Sequence, residues 1–234
     1  KEVTAYSKSR HSLAAIGPDG CPAEFISRVA EDPEMAADLA RLYTFMVHHS
    51  VLTPDSLIQF TRVKLVTLAK PNGAFRPIGV GTGFARFFLG LLAKRFNAIV
   101  APTLDKDNFT LQSHGVAILA LVASICFELG GAVVCDDREN AYNNMPAGRA
   151  TAILQRDGRK AAAALTTYNS VHKVVTDGGS FLTANIPQGA AAGTTMAAII
   201  VDDCISAARE SFPSTAICSY VDDVSCMDAQ EARA

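Results

Sequence analysis

Two apolar runs in this chain each run into a pair of adjacent aspartates, and few folds can accommodate that twice. Ala132 to Cys135 follows the breaker Gly130-Gly131 and leads into Asp136-Asp137; the segment TAICSYVDDVSCM, residues 215–227, has Asp222 and Asp223 as its only charges. Short runs rich in Ile, Val and Cys read as buried strands, or as a hairpin where the run is longer. Neighbouring carboxylates placed there repel each other and resist losing water unless a cation sits between them. Aspartate pairs are usually surface turn residues, but here an apolar strand precedes both. The pattern therefore predicts two strand ends that deliver carboxylate oxygens to hard divalent ions such as Mg²⁺, which prefer oxygen ligands and share their shell with phosphates. Two such ions could clamp the attacking and leaving oxygens of a phosphoryl displacement.

Composition sets wider bounds. A chain of 234 residues with 49% hydrophobic residues can bury a substantial core, so disorder is not the expectation. The net charge of −2 carries no sign of a polyanionic partner. The distribution does. From Thr61 to Val100 there is no acidic residue, while Arg62, Lys64, Lys70, Arg76, Arg86, Lys94 and Arg95 all lie there, a basic block suited to phosphates. Solvated helix charge is the plainer explanation for some of these, Lys94 and Arg95 first. The six cysteines are scattered without a C-x-x-C pair and read as free thiols of a reducing compartment. No zinc site is expected. No run of eighteen apolar residues and no leader-like segment is found, so neither membrane spanning nor secretion is expected.

Periodicity places these residues on elements. The first twenty residues are polar and broken by Gly17, Pro18 and Gly20. Helical spacing covers 23–30 and 33–49, with Pro33 at a helix start. Val63 to Leu68 and Phe75 to Val80 read as strands joined by the turn Lys70-Pro71-Asn72-Gly73, with Lys70 and Arg76 near the tip. Buried helices are expected over 84–99 and 115–129, one helix over 147–166, strands at 171–176 and 179–184 about an Asp177-Gly178-Gly179 turn, and a long apolar helix from Gln188-Gly189 to about Glu210.

YVDD with its strand, the DDRENAY segment and IPQGAAAG between them resemble, in order, the three palm motifs of reverse transcriptases. GPDG at 17–20, KPNGAFRPIGV at 70–80, Arg86 in FARFF and QSHGVAILALVASI at 112–125 agree. The similarity spans nearly the whole chain and is strongest to the non-LTR retrotransposon and group II intron branch. It implies an α+β fold: fingers and the start of the palm over 1–130, and over 131–234 an antiparallel palm sheet backed by helices. The implied activity is RNA-directed DNA polymerase, using an RNA template, a DNA primer or RNA–DNA hybrid, deoxynucleotides and two Mg²⁺ ions, for which Mn²⁺ can substitute.

The resemblance also implies roles. Asp137 would be the first metal ligand, with Asp136 a neighbour rather than a ligand; Asp222 would bridge the metals and Asp223 would contribute more weakly. Tyr142, five positions after Asp137, would pack under the sugar and leave no room for a 2′-hydroxyl. A core tyrosine is the alternative reading of the same residue. Lys70 and Arg76 would fold over the triphosphate, one a point charge and the other a bidentate fork. Gln188 would position the nucleotide, and Gly189 would admit close backbone approach. Arg62, Lys64, Arg86 and Tyr220 would meet nucleic acid, Arg86 being equally readable as a helix surface charge.

Two departures stand out. After Gln188-Gly189 the family continues with a polar residue and Pro-Leu, whereas this chain has Ala190-Ala191-Ala192-Gly193. The chain also begins at Lys1 and stops at Ala234, soon after Asp223, so the thumb is expected to be absent and the sequence to be an excerpt of a longer intracellular polypeptide, nuclear or cytoplasmic, with further domains. Rival readings are an inactive or domesticated reverse-transcriptase-like scaffold that binds RNA, a viral RNA-dependent RNA polymerase, and a metal-binding regulatory module. The last leaves the basic hairpin unexplained.

Overall fold

The computed structural model describes residues 1–8, 15–49, 53–136 and 141–228. Helices α1 (Glu2–Lys8), α2 (Ala23–Val29), α3 (Pro33–His49) and α4 (Pro54–Phe60) gather around α5 (Gly83–Val100) through one apolar cluster. Two of these starts are capped by side chains. The Asp32 carboxylate accepts from the Glu34 and Met35 amides ahead of Pro33, and Thr82 and Asp19 together accept from the Ala85 and Gly83 amides at the head of α5, satisfying donors that a helix start leaves open. The expected polar, broken stretch is corrected at its beginning: α1 forms because Val3 is buried and Tyr6 meets Phe87 edge-on at 5.2 Å, contacts between residues far apart in sequence.

Among the described residues the strands are β1 (Val63–Ala69), β2 (Phe75–Gly81), β3 (Ala132–Asp136), β4 (His172–Thr176), β5 (Gly179–Thr183), β6 (Ala216–Tyr220) and β7 (Asp223–Asp228). They form two sheets, ordered β2-β1-β4-β5 and β3-β7-β6. Every pairing is antiparallel except β1 with β4, which is parallel over Val63↔Val174 and Lys64↔Val175. β4 and β5, late in the chain, thus complete a sheet begun by the Lys70 hairpin. The whole is a mixed α+β fold rich in antiparallel sheet.

The remaining helices are α6 (Gly115–Glu128), α7 (Ala141–Asn144), α8 (Ala147–Arg156), α9 (Lys160–Thr166) and α10 (Gly193–Ser211). Three expectations are corrected here. The single helix over 147–166 is two, because Gly158 at φ +73° ends α8 and the Arg159 amide donates back to the Leu154 carbonyl, the glycine-capped helix end. The long apolar helix opens at Gly193 rather than Gln188, since successive turns close at 187–190 and 190–193. The helix expected to be buried over 115–129 is covered on one side only: Ile118 and Val122 pack on the second sheet, while Leu121 is 60% and Phe127 74% exposed.

The second sheet is a middle layer. On one face Cys218 and Met227 pack with Phe109 and α6. On the other Ile217, Val224 and Cys226 pack toward α8 and α10, around a core in which Phe96, Leu154 and Met196 are fully buried. No described helix is long and apolar enough to cross a membrane.

Candidate active site

The register of the second sheet sets the site. Asp136, the last residue of β3, pairs with Val224 of β7, one residue beyond Asp223; Tyr220 pairs with Asp223, which leaves Val221 and Asp222 as a two-residue turn. The end of the first aspartate strand therefore lies beside the second aspartate pair. Asp136 and Asp222 line one cleft of about 360 Å³, with Asn144, Arg149, Cys204 and Val224 in its wall. Asp222 is half-buried and Asp223 exposed. Asp137, the expected first metal ligand, lies outside the described residues.

The turn is held under strain. Val221 has φ +58°, rare for a β-branched residue, at the position where a hairpin of this length prefers glycine. Its amide donates to the Thr110 hydroxyl at 2.7 Å, so a residue from a distant loop fixes the conformation. That loop is itself pinned. Arg209 of α10 donates to Asp105, to Asp107 at 2.9 Å and to the Ile217 carbonyl of β6 at 2.7 Å. Asp202 accepts from the Asp105 amide and the Asn108 side chain. Burial pushes the Asp105 carboxyl up, but the Asp107 amide and the Arg209 guanidinium outweigh it and hold it below its usual value; burial keeps Asp202 above its own. Asp202-Asp203 is a third aspartate pair, unremarked in the sequence reading. One member ties this loop and the other pairs with Arg156 at 2.7 Å.

Tyr142 flanks the carboxylates. It sits on α7, half-buried, with its hydroxyl donating to Thr194 at 3.3 Å. Burial raises its pKa, and the Asp222 charge and Tyr220 push it the same way against the Thr194 bond, which places Tyr142, Asp222 and Tyr220 within electrostatic reach. Tyr220 packs beside Gly115 at the head of α6, where a Cβ would come within 3.0 Å of its ring. The next residue, Asn143, accepts the Gln188 amide at 3.3 Å. The Gln188 carbonyl in turn accepts the Gly79 amide of β2 at 2.7 Å. Gly189 follows at φ +101°, its absent Cβ only 2.8 Å from the Gly79 carbonyl, so this turn fits against β2 because it carries no side chain.

Tyr142, Tyr220, Asp222 and the Gln188-Gly189 turn are thus brought together around α7 and the second sheet. Lys70 stands half-buried at the hairpin tip; Arg76 and Lys64 are exposed on β2 and β1. Arg62 and Arg86 are half-buried and line a small cavity behind Gly189. Thr110, Asn143, Thr194 and Arg209 hold the site from positions that no motif marks.

Among the described residues no group of three or more His, Cys, Asp or Glu side chains could hold a metal ion. Of the expected ligands, Asp222 and Asp223 are described, and both offer carboxylate oxygens, the chemistry a hard divalent ion prefers.

No protein-family model matches the sequence, and no curated protein matches it. Among solved structures, apo telomerase from Candida tropicalis, truncated from its C-terminal domain, superposes with a TM-score of 0.52 at 10% identity over 85% of this chain. The two share a fold over most of this chain. The chain spans 50% of that structure's length.

Proposed function

We propose that this chain is the fingers and palm portion of an RNA-directed DNA polymerase of the non-LTR retrotransposon and group II intron type, fingers and the start of the palm over 1–130 and palm over 131–234. The observation that carries the reading is the meeting of the β3 end with the strained Val221-Asp222 turn beside Tyr142, in a fold of this class. Two Mg²⁺ or Mn²⁺ ions bound by Asp137, Asp222 and Asp223 would supply activation of the primer 3′-hydroxyl and neutralisation of the leaving pyrophosphate.

The chain's own residues do the rest. Tyr142, braced by Thr194, presents a rigid ring where the sugar of an incoming nucleotide would lie, and excludes a 2′-hydroxyl by lack of room. Lys70 and Arg76 at the hairpin bring positive charge to the triphosphate, strongest where charge develops in the transition state. Gln188, held between Asn143 and Gly79, positions the nucleotide, and Gly189 lets backbone approach it. Arg62, Lys64, Arg86 and Tyr220 would contact the RNA template, the DNA primer or the RNA–DNA hybrid they form. Holding reactants in line in this way lowers the barrier through orientation as well as charge.

The test is primer extension by the full natural polypeptide with Mg²⁺ on matched RNA and DNA templates, alongside Asp222→Asn. Extension on RNA that disappears in a folded Asp222→Asn variant supports the polymerase. RNA binding without extension by the parent would replace it with the scaffold reading, for which the Ala190-Ala191-Ala192 departure is the sequence ground.

A further inference from the structure

Directly behind the Gln188-Gly189 turn lies a small cavity of about 20 Å³, lined by Arg62, Arg86, Asn169, His172, Gly79 and residues 189–191. His172 is 2% and Asn169 3% exposed. The His172 Nδ1 lies 3.1 Å from the Thr61 carbonyl, and a carbonyl can only accept, so Nδ1 carries the proton. In a neutral ring Nε2 is then an acceptor. Nε2 has no protein hydrogen-bond partner, and neither has the Asn169 Oδ1; on the donor side, the Arg62 Nε has none. The backbone carbonyl of Asn169, near the ring, is an acceptor too and cannot satisfy Nε2.

The groups around this space, about the size of one water molecule, include two orphan acceptors and the orphan donor Arg62 Nε, a set that one water could bridge. A buried polar group left unmet is costly, and internal waters typically make about three hydrogen bonds to such groups. We propose that this cavity is an internal water site, the water donating to His172 Nε2 and Asn169 Oδ1 and accepting from Arg62 Nε, and that His172 acts through it as a positioning residue for the Gln188-Gly189 turn. Arg62 thereby serves this turn through its Nε, which leaves its terminal nitrogens for the nucleic-acid backbone. The positioning role rests on the proposed polymerase reading; the water site does not.

Two measurements separate them. In ¹⁵N-histidine spectra of the whole protein, His172 should show a protonated Nδ1 and a bare, hydrogen-bonded Nε2, with a water cross-peak of long residence. A protonated Nε2, or no retained water, overturns the site whatever the activity. In primer extension, His172→Phe should raise the KM for deoxynucleotide about tenfold with kcat little changed, while His172→Gln, whose amide can donate to Thr61 and accept from the water, should restore KM. Equal KM values for parent and folded His172→Phe overturn the positioning role. If the parent does not extend primers, the spectra alone decide the water site, and RNA or nucleotide binding by His172→Phe indistinguishable from the parent's overturns the positioning role.

Discussion

Replacing Gly189 by alanine should loosen the fold and the site together, and the two contributions can be separated. The φ of +101° is one that L side chains rarely adopt, and the new Cβ would stand 2.8 Å from the Gly79 carbonyl and 3.2 Å from Ile78. The backbone strain costs about 1–3 kcal/mol. The Cβ also pushes the turn off β2 at the bond from the Gly79 amide to the Gln188 carbonyl, worth about 0.5–1.5 kcal/mol. A loss of roughly 2–4 kcal/mol follows. Gly158 is the control: its φ is +73° and an added Cβ meets nothing within 4 Å, so alanine there costs only the left-handed conformation, about 1–2 kcal/mol. In urea titrations with a slope of about 3 kcal/mol per molar, Gly189→Ala should lower the midpoint by about 1 M and Gly158→Ala by about half that. Equal midpoints for the two variants would show that the seating of this turn against β2 has no energetic weight, and the account of Gln188 positioning would fall with it.

Arg209→Met should destabilise by about 2–3 kcal/mol, since it leaves the part-buried Asp105 and Asp107 without their cation and removes the brace on β6; a loss under 0.5 kcal/mol by urea unfolding would mean that the loop is held otherwise. Burial lowers the pKa of His172 in the folded state, so its contribution is complete above the unfolded value near 6.5 and is lost as pH falls below it, at up to about 1.4 kcal/mol per pH unit. Arg62 and Arg86 facing it stay charged throughout. Between pH 7.5 and 5.5 the parent should therefore lose more stability than His172→Gln, and parallel stability curves would refute this. Tyr142→Val should admit ribonucleotides at least tenfold better in primer extension; unchanged discrimination would return Tyr142 to a purely packing role.

Much of the strand and helix content was legible because it depends on local pattern. The 63–69 and 75–81 hairpin follows alternation and a Pro-Asn-Gly turn, and β6 and β7 follow from an apolar run whose only charges sit at its turn. What escaped depends on partners far along the chain. α1 is helical because Tyr6 finds Phe87. Gly158 lies inside the 147–166 stretch expected as one helix, and its left-handed backbone is what separates α8 from α9. α4 carried a readable start, for Thr53-Pro54 is a cap followed by the ring that best suits a first helical turn, but the helix is too short for periodicity to show. In the site, Asp222, Tyr142 and Gln188 could be named from motif spacing. Thr110, Asn143, Thr194 and Arg209 could not, since each holds the site through hydrogen bonds to partners at no regular spacing. Asp202-Asp203 shows the opposite lesson: the same dipeptide, set within a helix, is a structural tie.

The parallel seam between β1 and β4 orders the assembly of the molecule in time. Thr61 reaches the Val171 carbonyl across 110 residues of chain, and Val63 and Lys64 find their partners at 174 and 175. The hairpin of β1 and β2 can form early, but one of its edges waits for a strand synthesised much later, after α5 to α9 have emerged. Pairings of such long sequence separation are slow, because the entropy of closing the loop is spent before any contact rewards it. During that interval β1 presents unpaired backbone beside exposed Leu68 and Phe75, an open template for other chains. The basic residues along this hairpin, Lys64, Lys70 and Arg76, keep like copies apart by charge while the edge is bare, so the side chains assigned to nucleotide and template would also guard the nascent chain against self-association.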